Sequence, residues 1–245
     1  MNKAKYAFLF FTLYLLQGVA FAQTKIEFPS EDGLTVTAEL YETPQKSETA
    51  IVLFHQAGSS RGEYRDIAPR LNKLGYVALA VDQRSGSDFR GVKNETAART
   101  NSGRDFPSAL PDMRAAINYA KEKLGAKKVV IWGSSYSASL SLVLAGRKDA
   151  PIDGVLSFSP GEYFGGAISV KKEAKSINVP TFITSARSEV GSWQSIFKAI
   201  PESDDNVAYK PKGKGRHGSS TLLSSDSDEY WVAIESFLSS NFLEE

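Results

Sequence analysis

The central feature of the sequence is Val129-Val130-Ile131-Trp132-Gly133-Ser134-Ser135-Tyr136-Ser137-Ala138-Ser139-Leu140. A β-branched run ends at a glycine, two serines follow, and an apolar pattern begins at once, which predicts a strand, a sharp turn and a helix. In such a turn the residues two positions before and after the central one must be small, as Gly133 and Ser137 are. The pattern therefore places the Ser135 hydroxyl above the carboxyl end of the strand, beside the helix N-terminus. Ser137 departs from G-x-S-x-G at its last position.

Composition is that of an ordinary globular protein. The chain has 245 residues, of which 42% are hydrophobic and 23% charged, and its formal net charge is +1. This balance gives no sign of nucleic-acid binding or disorder. The chain has no cysteine, no P-loop and no clustered histidines, so neither a zinc site nor any other cofactor is expected. Residues 213–218 satisfy G-x-G-x-x-G, but no βαβ unit follows them, so a dinucleotide site is rejected.

Residues 1–22 have the pattern of an export signal. Two lysines precede an almost wholly apolar run over residues 6–16, and Ala20-Phe21-Ala22 fits a small-x-small cleavage site. The alternative is an uncleaved membrane anchor, but the run is shorter than the ~20 residues that a spanning helix needs. We predict cleavage before Gln23, a periplasmic or secreted protein with no membrane attachment after cleavage, and a single mature domain over residues 23–245.

Strands and helices alternate along this mature domain. An antiparallel hairpin comes first, and later strands are continuously apolar, as strands buried on both faces must be. The predicted strands lie at residues 26–28, 34–40, 50–54, 76–81, 128–132, 152–158, 181–184 and 207–209, and the helices at 64–74, 111–124, 138–145, 167–176 and 231–242. This alternation predicts an α/β fold with a mostly parallel sheet of about eight strands, helices on both faces, and ligands at the carboxyl ends of the strands.

Two connections bear on the shape of the site. The polar, non-periodic segment 83–109 is long for a loop in a compact domain, and such loops usually border a functional site. The connection after residue 158 is only some twenty residues long, which is too short for a large cap domain. We therefore expect an open pocket shaped by segment 83–109, Tyr136 and Glu162-Tyr163.

A serine hydroxyl becomes a nucleophile only when a base removes its proton, and that base needs an acid to orient it. The chain has two histidines, His55 and His217. His217 lies in a Gly-rich loop after the last predicted strand, so the order serine, acid, histidine is available. The neighbouring basic residues over 210–216 are expected to be a solvated loop. Two carboxylates follow the preceding strands, Glu162 and Glu189, and either is a candidate acid.

Taken together, the sequence resembles the α/β-hydrolases of the compact dienelactone-hydrolase-like or esterase kind. The resemblance covers essentially the whole mature chain and is carried by four segments: His55-Gln56-Ala57-Gly58, Gly133-Ser134-Ser135-Tyr136-Ser137, Glu189, and His217-Gly218. It implies an α/β-hydrolase fold with Ser135 as nucleophile and His217 as general base and then acid. Glu189 is the implied triad acid, and Glu162 is the alternative because some hydrolases carry the acid after the preceding strand.

The same resemblance implies an oxyanion hole formed by the N–H groups of Ala57 and Tyr136, with Gln56 as an alternative donor. His55 is expected to shape the backbone of this loop instead of catalysing. Glu162 and Tyr163 are expected to contact substrate.

The function that follows is a serine hydrolase acting on a small-molecule carboxylic ester. We expect a monomer with no nucleic-acid partner. A peptidase or amidase with the same triad, and a non-catalytic binding module that retains the fold, are the alternatives.

Overall fold

The computed structural model describes residues 23–44, 47–101 and 105–243, so the predicted signal peptide lies outside the described residues. Eight strands form one sheet in the order β1-β2-β4-β3-β5-β6-β7-β8. They are β1 (Gln23–Pro29), β2 (Thr35–Tyr41), β3 (Thr49–Phe54), β4 (Val77–Val81), β5 (Lys128–Ser134), β6 (Gly154–Phe158), β7 (Thr181–Thr184) and β8 (Val207–Ala208). The α-helices are α1 (Ala68–Lys73), α2 (Glu95–Ala98), α3 (Leu110–Glu122), α4 (Tyr136–Arg147), α5 (Val170–Ala174), α6 (Val190–Phe197) and α7 (Ser227–Phe242).

The sheet is parallel except at one edge. β2 pairs antiparallel with β1 and with β4, and every other pairing, from β4 through β3, β5, β6 and β7 to β8, is parallel. The carboxyl ends of β3, β5, β6, β7 and β8 therefore meet at one edge of the sheet. The loops that follow these strands carry every predicted site residue.

Helices cover both faces of the sheet. Alternate side chains of β3 and β5 enter two separate hydrophobic clusters: Val52 and Ile131 lie in the one beneath α3, α4, α5 and α6, whereas Ile51 and Trp132 lie in the one beneath α1 and α7. Strand residues that are apolar on both sides are stable only between two helical layers. The predicted α/β-hydrolase architecture is confirmed, and no separate cap stands over the sheet within the described ranges. In that same part of the chain no helix is long and apolar enough to cross a membrane.

Several elements differ from the sequence prediction. Helix α6 was not predicted, although Trp193 and Ile196 are fully buried in it and the Trp193 indole N–H donates to the Ser185 hydroxyl at 2.7 Å. The predicted helix over 64–74 divides into a 3-10 turn, Arg61–Tyr64, and the short α1. Segment 83–109 contains helix α2, whose first turn is capped by the Asn94 side chain. These are short elements, and their ends are determined by contacts with distant parts of the chain.

Buried ion pairs hold both ends of segment 83–109. Asp82 accepts from the Arg61 guanidinium at 2.5 Å, and Asp112 accepts from that of Arg84 at 2.7 Å. Both carboxylates are fully buried. Removing one partner of such a pair leaves an uncompensated buried charge, so the segment is fixed to the body of the domain at these two points.

Candidate active site

The turn between β5 and α4 presents Ser135 at the carboxyl edge of the sheet. Ser135 has φ 60° and ψ −121°, a conformation that costs a residue with a side chain about 1–3 kcal/mol. Its N–H donates to the Phe158 carbonyl at 2.8 Å. A Cβ at Gly133 would lie 2.4 Å from the Ser137 carbonyl oxygen, so only glycine fits where the strand and the helix approach each other.

Ser137 has a role of its own in this turn. Its hydroxyl donates to the His55 carbonyl at 2.6 Å and accepts from the Gln83 side-chain amide at 3.0 Å. A glycine at this position would make neither bond. The departure from G-x-S-x-G therefore ties the first turn of α4 to the loops after β3 and β4.

We expect Ser137→Ala to lower the free energy of unfolding by about 1–3 kcal/mol, because it leaves buried polar partners unsatisfied. Urea denaturation measures the change. Ser239→Ala is the matched control, since that exposed hydroxyl makes only a local bond to the Ser236 carbonyl. Equal unfolding midpoints for the two variants would contradict this account of Ser137.

The structure brings Ser135, His217 and Glu189 into one hydrogen-bonded line. His217 Nε2 lies 2.7 Å from Ser135 Oγ, and His217 Nδ1 lies 2.6 Å from Glu189 Oε1. The side chain of His217 is 43% exposed and that of Glu189 is 29% exposed, so the line opens to solvent. A small molecule can therefore reach Ser135 from outside.

The pKa shifts of the pair keep Glu189 ionised and make the His217 imidazole a stronger base. The hydrogen bond that His217 donates to Glu189 raises the pKa of His217, against the opposing effect of desolvation. Burial raises the pKa of Glu189, but hydrogen bonds from His217 and from the Ser159 hydroxyl outweigh it, and the net shift is downward. With Glu189 ionised, Nδ1–H donates to it, and Nε2 is left to accept the Ser135 proton.

Carboxylates of α7 place the loop that carries His217. Glu229 accepts the backbone N–H groups of Lys212 and Gly213 at 3.0 and 2.7 Å, and Asp226 accepts that of Gly215 at 2.8 Å. The lysine side chains at 212 and 214 are exposed, as a solvated loop requires. The loop is thus held by its backbone and not by its basic side chains.

Two backbone N–H groups lie at the same edge of the sheet. Tyr136 is the first residue of α4, and within the described ranges neither its N–H nor that of Ala57 donates to another group. The predicted alternative donor, Gln56, is wrong, because its N–H donates to the Glu63 carboxylate at 2.8 Å. An oxyanion beside Ser135 is therefore left with the N–H groups of Ala57 and Tyr136 as candidate donors.

His55 fixes the direction of the Ala57 N–H. Burial lowers the pKa of His55 to about 4, so the ring is neutral. Its Nε2 accepts from the Gln83 N–H at 2.9 Å, and its Nδ1–H donates to the Gln56 carbonyl at 2.8 Å. In a trans peptide the C=O and N–H groups point in opposite directions, so the Ala57 N–H points away from the buried ring. The shaping role expected of His55 stays a prediction, which these two hydrogen bonds support.

Glu162 is not positioned as a triad acid or as a substrate contact. Its two carboxylate oxygens accept the backbone N–H groups of Val170 at 2.9 Å and Lys171 at 2.8 Å. These are the first two residues of α5, whose N–H groups have no partner within the helix. The carboxylate therefore caps α5, and both sequence hypotheses for Glu162 are corrected.

Tyr163 borders the site. Its hydroxyl donates to the Ser159 carbonyl at 2.9 Å, and the residue is 39% exposed. Burial raises its pKa, and the Glu189 charge adds to this. Its ring folds back over Gly161, where a Cβ would lie 3.0 Å from the ring. Tyr163 thus forms a wall next to Ser135.

The Tyr136 side chain lies beneath the site and not in it. Its ring is buried and stacks on Phe106 with ring centroids 4.4 Å apart, and its hydroxyl lies 2.6 Å from Ser85 Oγ. Both partners belong to segment 83–109. The residue after the nucleophile therefore offers its backbone to the site and uses its side chain to hold that segment.

Sequence reasoning missed two residues of the site. The Ser159 hydroxyl donates to Glu189 Oε2 at 2.7 Å and accepts the Gly218 N–H at 2.8 Å, which joins the acid to the histidine loop. Its place directly after a buried strand was the available signal. Glu63 is fully buried beside Ser134, and no local pattern marks it. Among the residues that the structure describes, no cluster of three or more His, Cys, Asp or Glu could hold a metal ion.

Comparison with known proteins agrees with this fold. The model of the Dienelactone hydrolase family matches residues 36–191, which is more than half of the chain. The chain belongs to this family. It is accordingly a hydrolase of the α/β fold.

Solved structures show the same fold in other members of the superfamily. The Pyrococcus furiosus esterase Pf2001 has a TM-score of 0.71 at 18% identity, over 91% of this chain and 94% of that one. A dienelactone hydrolase from Anabaena variabilis also has a TM-score of 0.71, at 14% identity, over 91% of this chain and 99% of that one.

Two curated relatives match part of the chain. The quorum-quenching protein AidA of Acinetobacter baumannii is 31% identical over 149 residues, which is 59% of this chain and 46% of that protein. The thiohydrolase apmlB of Arthrinium phaeospermum is 25% identical over 122 residues, which is 50% of this chain and 38% of that protein. The matches thus span less than half the length of these relatives.

Proposed function

We propose that this family member is a serine hydrolase that cleaves carboxylic esters of small molecules through an acyl-enzyme on Ser135. The observation that carries the proposal is the line from Ser135 Oγ through His217 to Glu189, with hydrogen bonds of 2.7 and 2.6 Å. A serine held in this way is an activated nucleophile. These three residues are the ones that the sequence resemblance implies, with Glu189 as the acid.

In the acylation step, Ser135 Oγ attacks the ester carbonyl carbon while His217 Nε2 takes the hydroxyl proton. The carbonyl oxygen gains the electron pair and accepts from the N–H groups of Ala57 and Tyr136. When the tetrahedral intermediate collapses, the bond to the alcohol oxygen breaks and His217 protonates that oxygen. Glu189 stays ionised and stabilises the imidazolium.

In the deacylation step, water attacks the acyl-enzyme, and His217 takes one of its protons. The second tetrahedral intermediate releases the carboxylic acid as His217 returns the proton to Ser135 Oγ. No cofactor enters either step. The protein is proposed to act as a monomer outside the cytoplasm, after removal of residues 1–22, and N-terminal sequencing of the exported protein tests the cleavage.

Hydrolysis of a substrate panel tests the proposal. The panel contains p-nitrophenyl esters of short and medium acids, matched thioesters, lactones and anilides, since one solved relative is named an esterase and one curated relative a thiohydrolase. We expect the highest kcat/KM on oxygen esters, together with a fluorophosphonate adduct on Ser135 in peptide mass spectra. Faster turnover of anilides would favour an amidase. Neither turnover nor adduct would favour the non-catalytic binding module.

The pH profile is a second expected result. His217 must be neutral to accept the Ser135 proton, and Glu189 raises its pKa above the ordinary value of 6.5. We therefore expect kcat/KM to fall with decreasing pH around a midpoint above 6.5. Initial rates on p-nitrophenyl butyrate in constant-ionic-strength buffers give this midpoint. A midpoint below 6.5 would contradict the pairing of His217 with Glu189.

A further inference from the structure

Glu63 is a buried carboxylate without an arginine or lysine partner. It lies in the 3-10 turn Arg61–Tyr64 and is 2% exposed. The fully buried carboxylates of Asp82 and Asp112 each pair with an arginine, whereas none of the ion pairs within the described ranges includes Glu63. A buried anion is costly unless hydrogen bonds compensate it. The two hydrogen bonds that Glu63 accepts therefore indicate the role of its buried charge.

Both bonds go to the catalytic turn and the loop beside it. Glu63 Oε1 accepts from the Ser134 hydroxyl at 2.7 Å, and Oε2 accepts from the Gln56 N–H at 2.8 Å. The Ser134 hydroxyl in turn accepts the Ser219 N–H at 2.9 Å. The carboxylate thus bonds directly to the loop of Ala57 and to the turn of Ser135. The Ser134 hydroxyl connects it further to the loop of His217.

The contacts in this cluster leave little freedom. A Cβ at Gly218 would lie 2.4 Å from Ser134 Oγ and 3.2 Å from Gln56 Oε1. The backbone of Gln56 is held at both ends, since Glu63 accepts its N–H and His55 donates to its C=O. The peptide that carries the Ala57 N–H therefore has its direction set by one buried residue on each side.

We propose that Glu63 is a positioning residue for the oxyanion hole: its carboxylate holds the Gln56 backbone and Ser134 in register, so that the N–H groups of Ala57 and Tyr136 converge on one oxygen. This inference rests on the proposed ester hydrolysis. Because the oxyanion exists only in the tetrahedral states, a loss of register lowers kcat and leaves KM nearly unchanged.

The ionisation of Glu63 gives the role a pH signature. Burial raises its pKa to about 6, so it is ionised in weakly alkaline solution. The titratable groups that interact with it are His217, whose pKa it raises, and the buried phenols of Tyr64 and Tyr136. As pH falls, His217 is protonated first and Glu63 next. The acid limb of kcat/KM therefore steepens from one proton to two.

Glu63→Gln tests the proposal, because the amide keeps the shape but replaces one acceptor by a donor. We expect kcat on p-nitrophenyl butyrate to fall about 10- to 100-fold with KM within about twofold of the wild type. The inhibition constant of a boronic acid, whose tetrahedral adduct occupies the oxyanion hole, should rise by the same factor. The acid limb of the pH profile of kcat/KM should then depend on one protonation instead of two, and its midpoint should move to lower pH.

Asp153→Asn is the matched control. Its carboxylate also accepts a backbone N–H, that of Val129 at 2.7 Å, but at the amino end of β5. We expect its kcat, boronate affinity and pH profile to match those of the wild type. If Glu63→Gln does not fold, Glu63→Asp replaces it: the shorter side chain should lower kcat similarly but keep the two-proton limb.

Two results would overturn the proposal, and they are distinguishable. If the wild type is active and the Glu63 variant has the same kcat and boronate affinity, Glu63 has only a structural role, whatever the melting temperature of the variant. A wild type that neither hydrolyses esters nor reacts with a fluorophosphonate would refute the proposed function, and this inference with it.

Discussion

Replacing Ser135 by alanine is expected to lower kcat on p-nitrophenyl esters by about 10⁶-fold. The substitution removes the only atom that forms the acyl-enzyme, while His217 and the two N–H groups remain. Stability should not fall, because the Ser135 hydroxyl bonds to His217, whose side chain is 43% exposed. Steady-state kinetics, fluorophosphonate labelling and the melting temperature are to be measured on the same preparation.

Ser139→Ala is a suitable control for this experiment. Ser139 lies one turn further along α4, and its buried hydroxyl donates to the Gly161 carbonyl at 2.7 Å. We expect this variant to lose stability but to keep labelling. Persistent labelling of Ser135→Ala, or loss of labelling only in Ser139→Ala, would show that another residue is the nucleophile.

Replacing Glu189 by glutamine should have the next largest effect, with kcat falling by about 10⁴-fold. The amide can present an N–H₂ group to His217 Nδ1, which favours the tautomer whose Nε2 carries a proton and cannot accept from Ser135. The His217 pKa loses the charge that raises it, so the residual acid limb should lie at lower pH than in the wild type. Kinetics over a range of pH measure both effects.

Glu162→Gln distinguishes the two candidate acids. Because Glu162 accepts N–H groups at the start of α5, we expect this change to cost about 1 kcal/mol of stability and to leave kcat unchanged. A larger kcat loss in Glu162→Gln than in Glu189→Gln would return the role of triad acid to Glu162.

The fold class and the candidate triad were predictable for one physical reason. Ser135 follows β5 directly, Glu189 and His217 lie in the segments after β7 and β8, and the carboxyl ends of parallel strands share one edge. Once continuous apolar runs predict buried parallel strands, the residues after them must meet. This inference needs only the order of strands and helices along the chain, and no distances between residues.

The parts that were not predicted depend on tertiary contacts. Glu63 is charged and lies in a polar stretch, and its burial arises only when the loops after β3 and β8 close over it. Helix α6 has eight residues, and Trp193 becomes informative only through its bond to Ser185. Glu162 followed a strand as Glu189 does, but the start of α5 competes for its carboxylate.

The attachment of the histidine loop to α7 has a consequence for the synthesis of the protein. Ser135 and Glu189 are placed by strands that are complete well before residue 226, whereas Glu229 and Asp226 hold the backbone that leads to His217. A nascent chain that stops short of α7 contains the nucleophile and the acid but has no positioned base. We therefore expect activity to begin only when the last helix docks, and a partly made or unfolded chain to be catalytically inactive.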